Sequence, residues 1–187
     1  MWVIAIFAVI VVTRFLKGLI LILLLVGLAA PVRASVEEGR SVDPALVGAL
    51  MAWVEQHVGT KVPTLPQVIA SHSEFRGLLR AAGGSFAGRP QAIYAAGKVV
   101  VDHLNWDPEE STQLSLLVHE LVHHAQRYLP RSTWSCPDAR EAQAYNLQNL
   151  WLEEHGHQPF VRASWIARVS SCADQDDGLL LAQSSVN

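Results

Sequence analysis

The chain has 187 residues, half of them hydrophobic and 17% charged, with a formal net charge of −3. The apolar content is uneven: residues 1–34 hold 27 hydrophobic residues, the basic Arg14, Lys17 and Arg33, and no acid. Everything behind Ala34 is an acid-rich chain of ordinary composition without a basic patch, which argues against a nucleic-acid partner. It also lacks the run of about 20 apolar residues that a spanning helix needs, which excludes a polytopic membrane protein.

The leader comes first in chain order. Gly18 to Ala30 is a short apolar run preceded by Arg14 and Lys17 and followed by Val32-Arg33-Ala34-Ser35. A charged flank, an apolar core and small or aliphatic residues at minus three and minus one read as a signal peptide over residues 1–34, cleaved after Ala34. A second apolar stretch, Trp2 to Val12, leaves an uncleaved anchor over residues 2–30 as the alternative, with Arg14 and Lys17 carried inside it at a cost of a few kcal/mol each. The expected location is therefore periplasmic or secreted, with membrane attachment only through the leader. The two cysteines, Cys136 and Cys172, both follow it, and an oxidising compartment predicts a disulfide between them.

Residues 35–172 read as one α+β domain, followed by a weakly ordered tail over 173–187. Residues 35–42 are polar and read as a linker. Asp43-Pro44 supplies an N-cap and a first-turn proline for a helix running to about His57, closed by Gly59. Gln67 to Ala70 predicts a short strand, and Glu74 to Ala82 a second helix ended by Gly83-Gly84. Gln91 to Ala96 and Lys98 to Leu104, separated around Gly97, predict a hairpin or a bulged meander. Asp107-Pro108 repeats the cap-then-proline signal, and the apolar stripe Leu114, Leu117, Val118, Leu121, Val122 and Ala125 predicts a helix to about Tyr128. Pro137-Asp138 opens a further helix ending at Gly156, and Phe160 to Ser171 predicts the last.

The chemistry sits on the central helix. His119-Glu120-Leu121-Val122-His123 is an HExxH pattern, and four-residue spacing leaves the two imidazoles on one face, a turn apart. That is the arrangement in which two nitrogens reach one zinc ion without distorting the backbone. Glu120 lies about 100° round the helix, placed as a general base and not as a ligand. A third protein ligand must come from elsewhere, and Glu141, 18 residues after His123 and flanked by alanines on the next helix, is the candidate; Asp138 is the fallback. Tyr145 shares the face of Glu141, as packing or as a group for a developing oxyanion. Gln126 lies on the metal face, where it would orient a ligand. His124 points away from His123, toward solvent or a supporting role, and His103 precedes the helix within reach of the cleft. His155 and His157, roughly 20 Å along the next helix, are poor candidates.

With His119, Glu120 and His123 followed by Glu141 on the next helix, the chain resembles the gluzincin group of zinc metallopeptidases, particularly its small bacterial members, over about 25 residues. The resemblance implies a zincin-like fold, a small twisted sheet packed on the active-site helix. It further implies that an edge strand, here within Gln91 to Val101, holds an extended peptide or protein substrate by main-chain hydrogen bonds. It implies Zn2+ held by His119, His123 and Glu141, with Glu120 as base. The segment around Glu141 departs from the thermolysin-like pattern in lacking its Asn and Ser-Asp companions, and the domain is shorter than most gluzincin peptidases. The expectation is an exported zinc-dependent hydrolase, a metallopeptidase; the alternative is a non-catalytic zincin-like envelope module that holds a peptide or protein partner.

Overall fold

The computed structural model describes residues 39–82 and 90–172. The leader, its cleavage point, the Gly83-Gly84 stop and the tail over 173–187 lie outside the described residues. The chain runs β1 (Arg40–Ser41), α1 (Pro44–Val58), β2 (Gln67–Ala70), α2 (His72–Ala81), β3 (Ala92–Ala95), β4 (Lys98–Val101), α3 (Ser111–Gln126), a 3-10 turn (Arg131–Thr133), α4 (Pro137–Glu154) and α5 (Ala163–Ser170). This is an α+β fold. Its four strands lie in the order β1-β2-β4-β3, with β2 and β4 parallel and the two outer pairings antiparallel.

Strand alternation divides the apolar residues between two layers. Val68, Ala70, Ala92, Val99 and Val101 face the main core with α1, α3 and α4, while Ile69, Ile93 and Val100 meet Phe75, Leu78 and Leu79 of α2 on the other side. In α3 the stripe Leu117, Val118, Leu121, Val122 and Ala125 is fully buried, so the helix is clamped from behind. Truncating Leu121 to alanine there would cost about 2–5 kcal/mol. α4 runs antiparallel to α3: Gln126 bonds to Arg140 and Gln143 at one end of the pair, and Gln148 to Ser115 at the other.

Local signals explain most of the boundaries. The Asp43 side chain accepts from Ala45 N at 2.9 Å, Pro44 occupies the first turn of α1, and Gly59 closes it at φ 75°. Three of the boundaries that differ from the sequence expectation have a local cause. α3 begins at Ser111 and not at Asp107-Pro108, because Asp107 is spent on a turn of its own: its carboxylate accepts from Glu109 N and its carbonyl from Glu110 N. α2 begins two residues earlier than Glu74, since Ser71 Oγ accepts from Glu74 N in a Ser-x-x-Glu capping pattern. The polar stretch expected as a linker contains β1, which is too short to carry a periodic signal and exists by pairing Arg40 and Ser41 with Ala70 and Ile69. The β3–β4 hairpin forms as expected, turning on Ala96 and Gly97, both at positive φ (48° and 91°).

Candidate metal centre

α3 carries His119 and His123 on one face near its C-terminal end, and the antiparallel course of α4 brings Glu141 opposite them from its own first turns. The two Nε2 atoms are 3.1 Å apart. Glu141 Oε2 lies 3.5 Å from His119 Nε2, and Oε1 lies 3.4 Å from His123 Nε2. Donors placed about 2.0–2.1 Å from a tetrahedral zinc ion are separated by about 3.3 Å, so the three spacings fit that ion. Among the described residues these three are the one His/Cys/Asp/Glu group that converges in this way. Asp138, the fallback ligand, is outside it.

The groups around the triad orient it. Gln126 is buried and donates through Nε2 to the Arg140 carbonyl (2.9 Å) and to Gln143 Oε1 (3.0 Å), which leaves its own Oε1 as an acceptor for His123 Nδ1 at 3.0 Å. His123 therefore carries its neutral-state proton on Nδ1 and turns a lone pair on Nε2 toward the centre. His119 is also buried; its Nδ1 has no hydrogen-bond partner among the described residues. The Tyr145 ring packs edge-on against the His119 ring, with centroids 4.4 Å apart, and is backed by Trp165 and Phe160. Asn149 holds the strand of chain behind it, accepting from Phe160 N and Val161 N and donating to the Val161 carbonyl.

Electrostatics without an ion follow from this crowding. Burial pushes the His123 imidazole down, but the Glu141 hydrogen bond and the charges of Glu120 and Glu141 outweigh it and raise the group to about 9. For Glu141, burial acts upward and is overcome by hydrogen bonds from His119 and His123, which hold the carboxyl well below the usual carboxylate range. Burial, with the charges of Glu141 and Glu120, pushes the Tyr145 phenol up and keeps it protonated. Glu120 is half-buried, and its charge reaches both His123 and Tyr145.

Two further histidines lie outside the triad. His124 is buried, not solvated: its Nε2 meets the Thr64 carbonyl at 2.8 Å and its Nδ1 meets the Tyr94 hydroxyl at 3.1 Å. Burial pushes its imidazole down, against the Thr64 bond. His103 lies beside His72, whose Nδ1 bonds Asp102 at 2.8 Å, and is not in the triad. Tyr94 was not singled out by sequence reasoning. It stands on β3, an edge strand, and with His123, Pro137, Arg140 and Glu141 it lines a cavity of about 250 Å³ beside the triad. An aromatic residue in a four-residue strand carries no signal of its own, and only the packing of β3 against α3 brings it there.

A family model described as a domain of unknown function, DUF6647, matches residues 40–177. The chain belongs to the DUF6647 family. No curated protein and no solved structure matches it. The DUF6647 match takes in every element from β1 to α5 and all members of the triad. Within this DUF6647 domain, Cys136 and Cys172 form a disulfide, and among the described residues no helix is long and apolar enough to cross a membrane.

Proposed function

We propose that this protein is an exported zinc-dependent hydrolase acting on peptide bonds, with His119, His123 and Glu141 as the zinc ligands and Glu120 as the general base. The observation that carries the reading is the convergence of three donors at 3.1, 3.4 and 3.5 Å, two from α3, which also bears Glu120, and one from α4. Zinc in such a site supplies Lewis acidity toward a carbonyl and lowers the pKa of a coordinated water toward about 7. Glu120 takes up a proton at its carboxylate and returns it to the leaving amine. Gln126 fixes the His123 tautomer, and the Tyr145 ring fixes the plane of His119. Among the described residues β3 has no strand along its outer edge, beside the cavity that Tyr94 and Glu141 share, which suits an extended peptide. Export is supported by the disulfide and by the leader read in the sequence.

The test is zinc content and cleavage measured on the same full chain. Wild type should retain about one zinc per chain after dialysis and cleave a mixed peptide library. Glu120→Gln should retain the metal and lose cleavage by two orders of magnitude or more. A chain that keeps zinc yet leaves every peptide intact would be a binding module built on the same scaffold, and a chain that keeps no zinc would overturn the hydrolase.

A further inference from the structure

A second hollow, of about 560 Å³, opens at the turn between α3 and α4, and its charged lining is Arg127, Arg131 and Arg140. No acidic residue lines it, and none of the three arginines pairs with a carboxylate among the described residues. Arg140 is held in place without such a partner. Its guanidinium lies over the Trp134 ring, 5.3 Å from the centroid, and its Nε is buried with no hydrogen-bond partner among the described residues. Arg127 Nη1 donates to the Tyr94 hydroxyl at 2.7 Å, and its other donors have no partner among the described residues. The hollow also borders the start of the 18-residue helix α4, where Cys136 provides no side-chain cap and the exposed N–H groups carry partial positive charge. Asp138, the acid of that first turn, does not line it.

The hollow adjoins the candidate metal centre. Pro137 and Arg140 border both it and the smaller cavity that contains His123 and Glu141. Three guanidinium groups without a carboxylate partner among the described residues, one of them preset on an indole face, are costly to gather unless an anion joins them. A planar carboxylate matches their paired donors. We propose that this hollow is an anion subsite of the same reaction site, taking a carboxylate of the peptide substrate while the scissile bond lies at His119, His123 and Glu141. The assignment of substrate rests on the hydrolase reading; the presence of a carboxylate pocket does not. A free C-terminus and an acidic side chain both present this group.

Three blocked pentapeptides of otherwise identical sequence distinguish them: one with a free C-terminal carboxylate, one amidated, and one amidated with aspartate at its last position. Their affinities are measured by calorimetry on the full chain, both metal-free and zinc-loaded, and their hydrolysis is followed in parallel. At least one anionic peptide should bind about tenfold more tightly than the neutral amide in both forms, as a charge-assisted hydrogen bond to arginine provides. Which one gains identifies the source of the carboxylate. The double substitution Arg131→Gln with Arg140→Gln should abolish the preference and keep one zinc per chain. Equal affinity of wild type for all three peptides overturns the subsite, and this comparison needs no variant to fold. Hydrolysis without preference overturns the subsite alone, whereas preference without hydrolysis keeps the subsite and overturns the hydrolase.

Discussion

Gln126 holds His123 by its Nδ1 at 3.0 Å while its own amide nitrogen is anchored on α4, so one side chain both orients a proposed ligand and ties together the two helices that carry the triad. Replacing it with leucine keeps the volume and removes the acceptor. Gln126→Leu should weaken zinc binding by about 10–100-fold, read from competition with a metal chelator. Unchanged affinity in the leucine variant would mean that the bond is incidental.

Tyr145 has a different task, because it touches the ligand His119 through its ring face and edge. Tyr145→Phe should leave zinc affinity within about threefold, and Tyr145→Ala should lower it by about tenfold, by unseating the imidazole from between its neighbours. A loss of kcat in Tyr145→Phe at constant zinc affinity would instead place the phenol in the reaction.

Removing the metal should make stability depend on pH in a defined window. His123 is raised from 6.5 to about 9, so the metal-free fold binds more protons than the unfolded chain between those values. That stabilisation is complete below pH 6.5 and is lost as pH rises through about 9. Glu141 is depressed below 4.5, so its contribution is present above that value and is lost as the solution is acidified further. The melting temperature of the metal-free chain should therefore be highest between about pH 4.5 and 6.5 and decline toward pH 9. A metal-free melting temperature that stays flat from pH 6.5 to 9 would contradict this pairing.

At the β3–β4 turn, Ala96 holds a left-handed φ of 48° that alanine adopts at a cost of about 1 kcal/mol. Ala96→Asn should stabilise the fold by about 0.5–1 kcal/mol in urea unfolding, since Asn-Gly is the favoured pair for this turn. The reverse change, Gly97→Ala, should destabilise it: φ is 91° there, and an added Cβ would lie 3.4 Å from Arg127 Nη1.

Much of this architecture is legible in the residues because the signals are local. Asp43-Pro44 and Gly59 bracket α1, Ala96-Gly97 turns the hairpin, and HExxH needs only helical periodicity to place two imidazoles together. Glu141 was reachable because a helix that must return antiparallel presents its early residues to the end of its predecessor. What stayed hidden depends on pairing across the fold. β1 has two residues and exists only by its partner strand, His124 is buried by Thr64 and Tyr94 from distant segments, and Asp107 spends its capping capacity one turn too early. The arginine-lined hollow likewise gathers residues from α3, the 3-10 turn and α4, and none of them is unusual alone.

Cutting the Cys136–Cys172 bond by the double serine change should cost about 3–4 kcal/mol of stability, judged by chemical denaturation, because the tether closes a loop of 36 residues.

That tether starts at the N-cap of α4, five positions ahead of Glu141. Closing that bond anchors the first turn of the helix covalently, which narrows the range of positions open to Glu141 opposite His119 and His123.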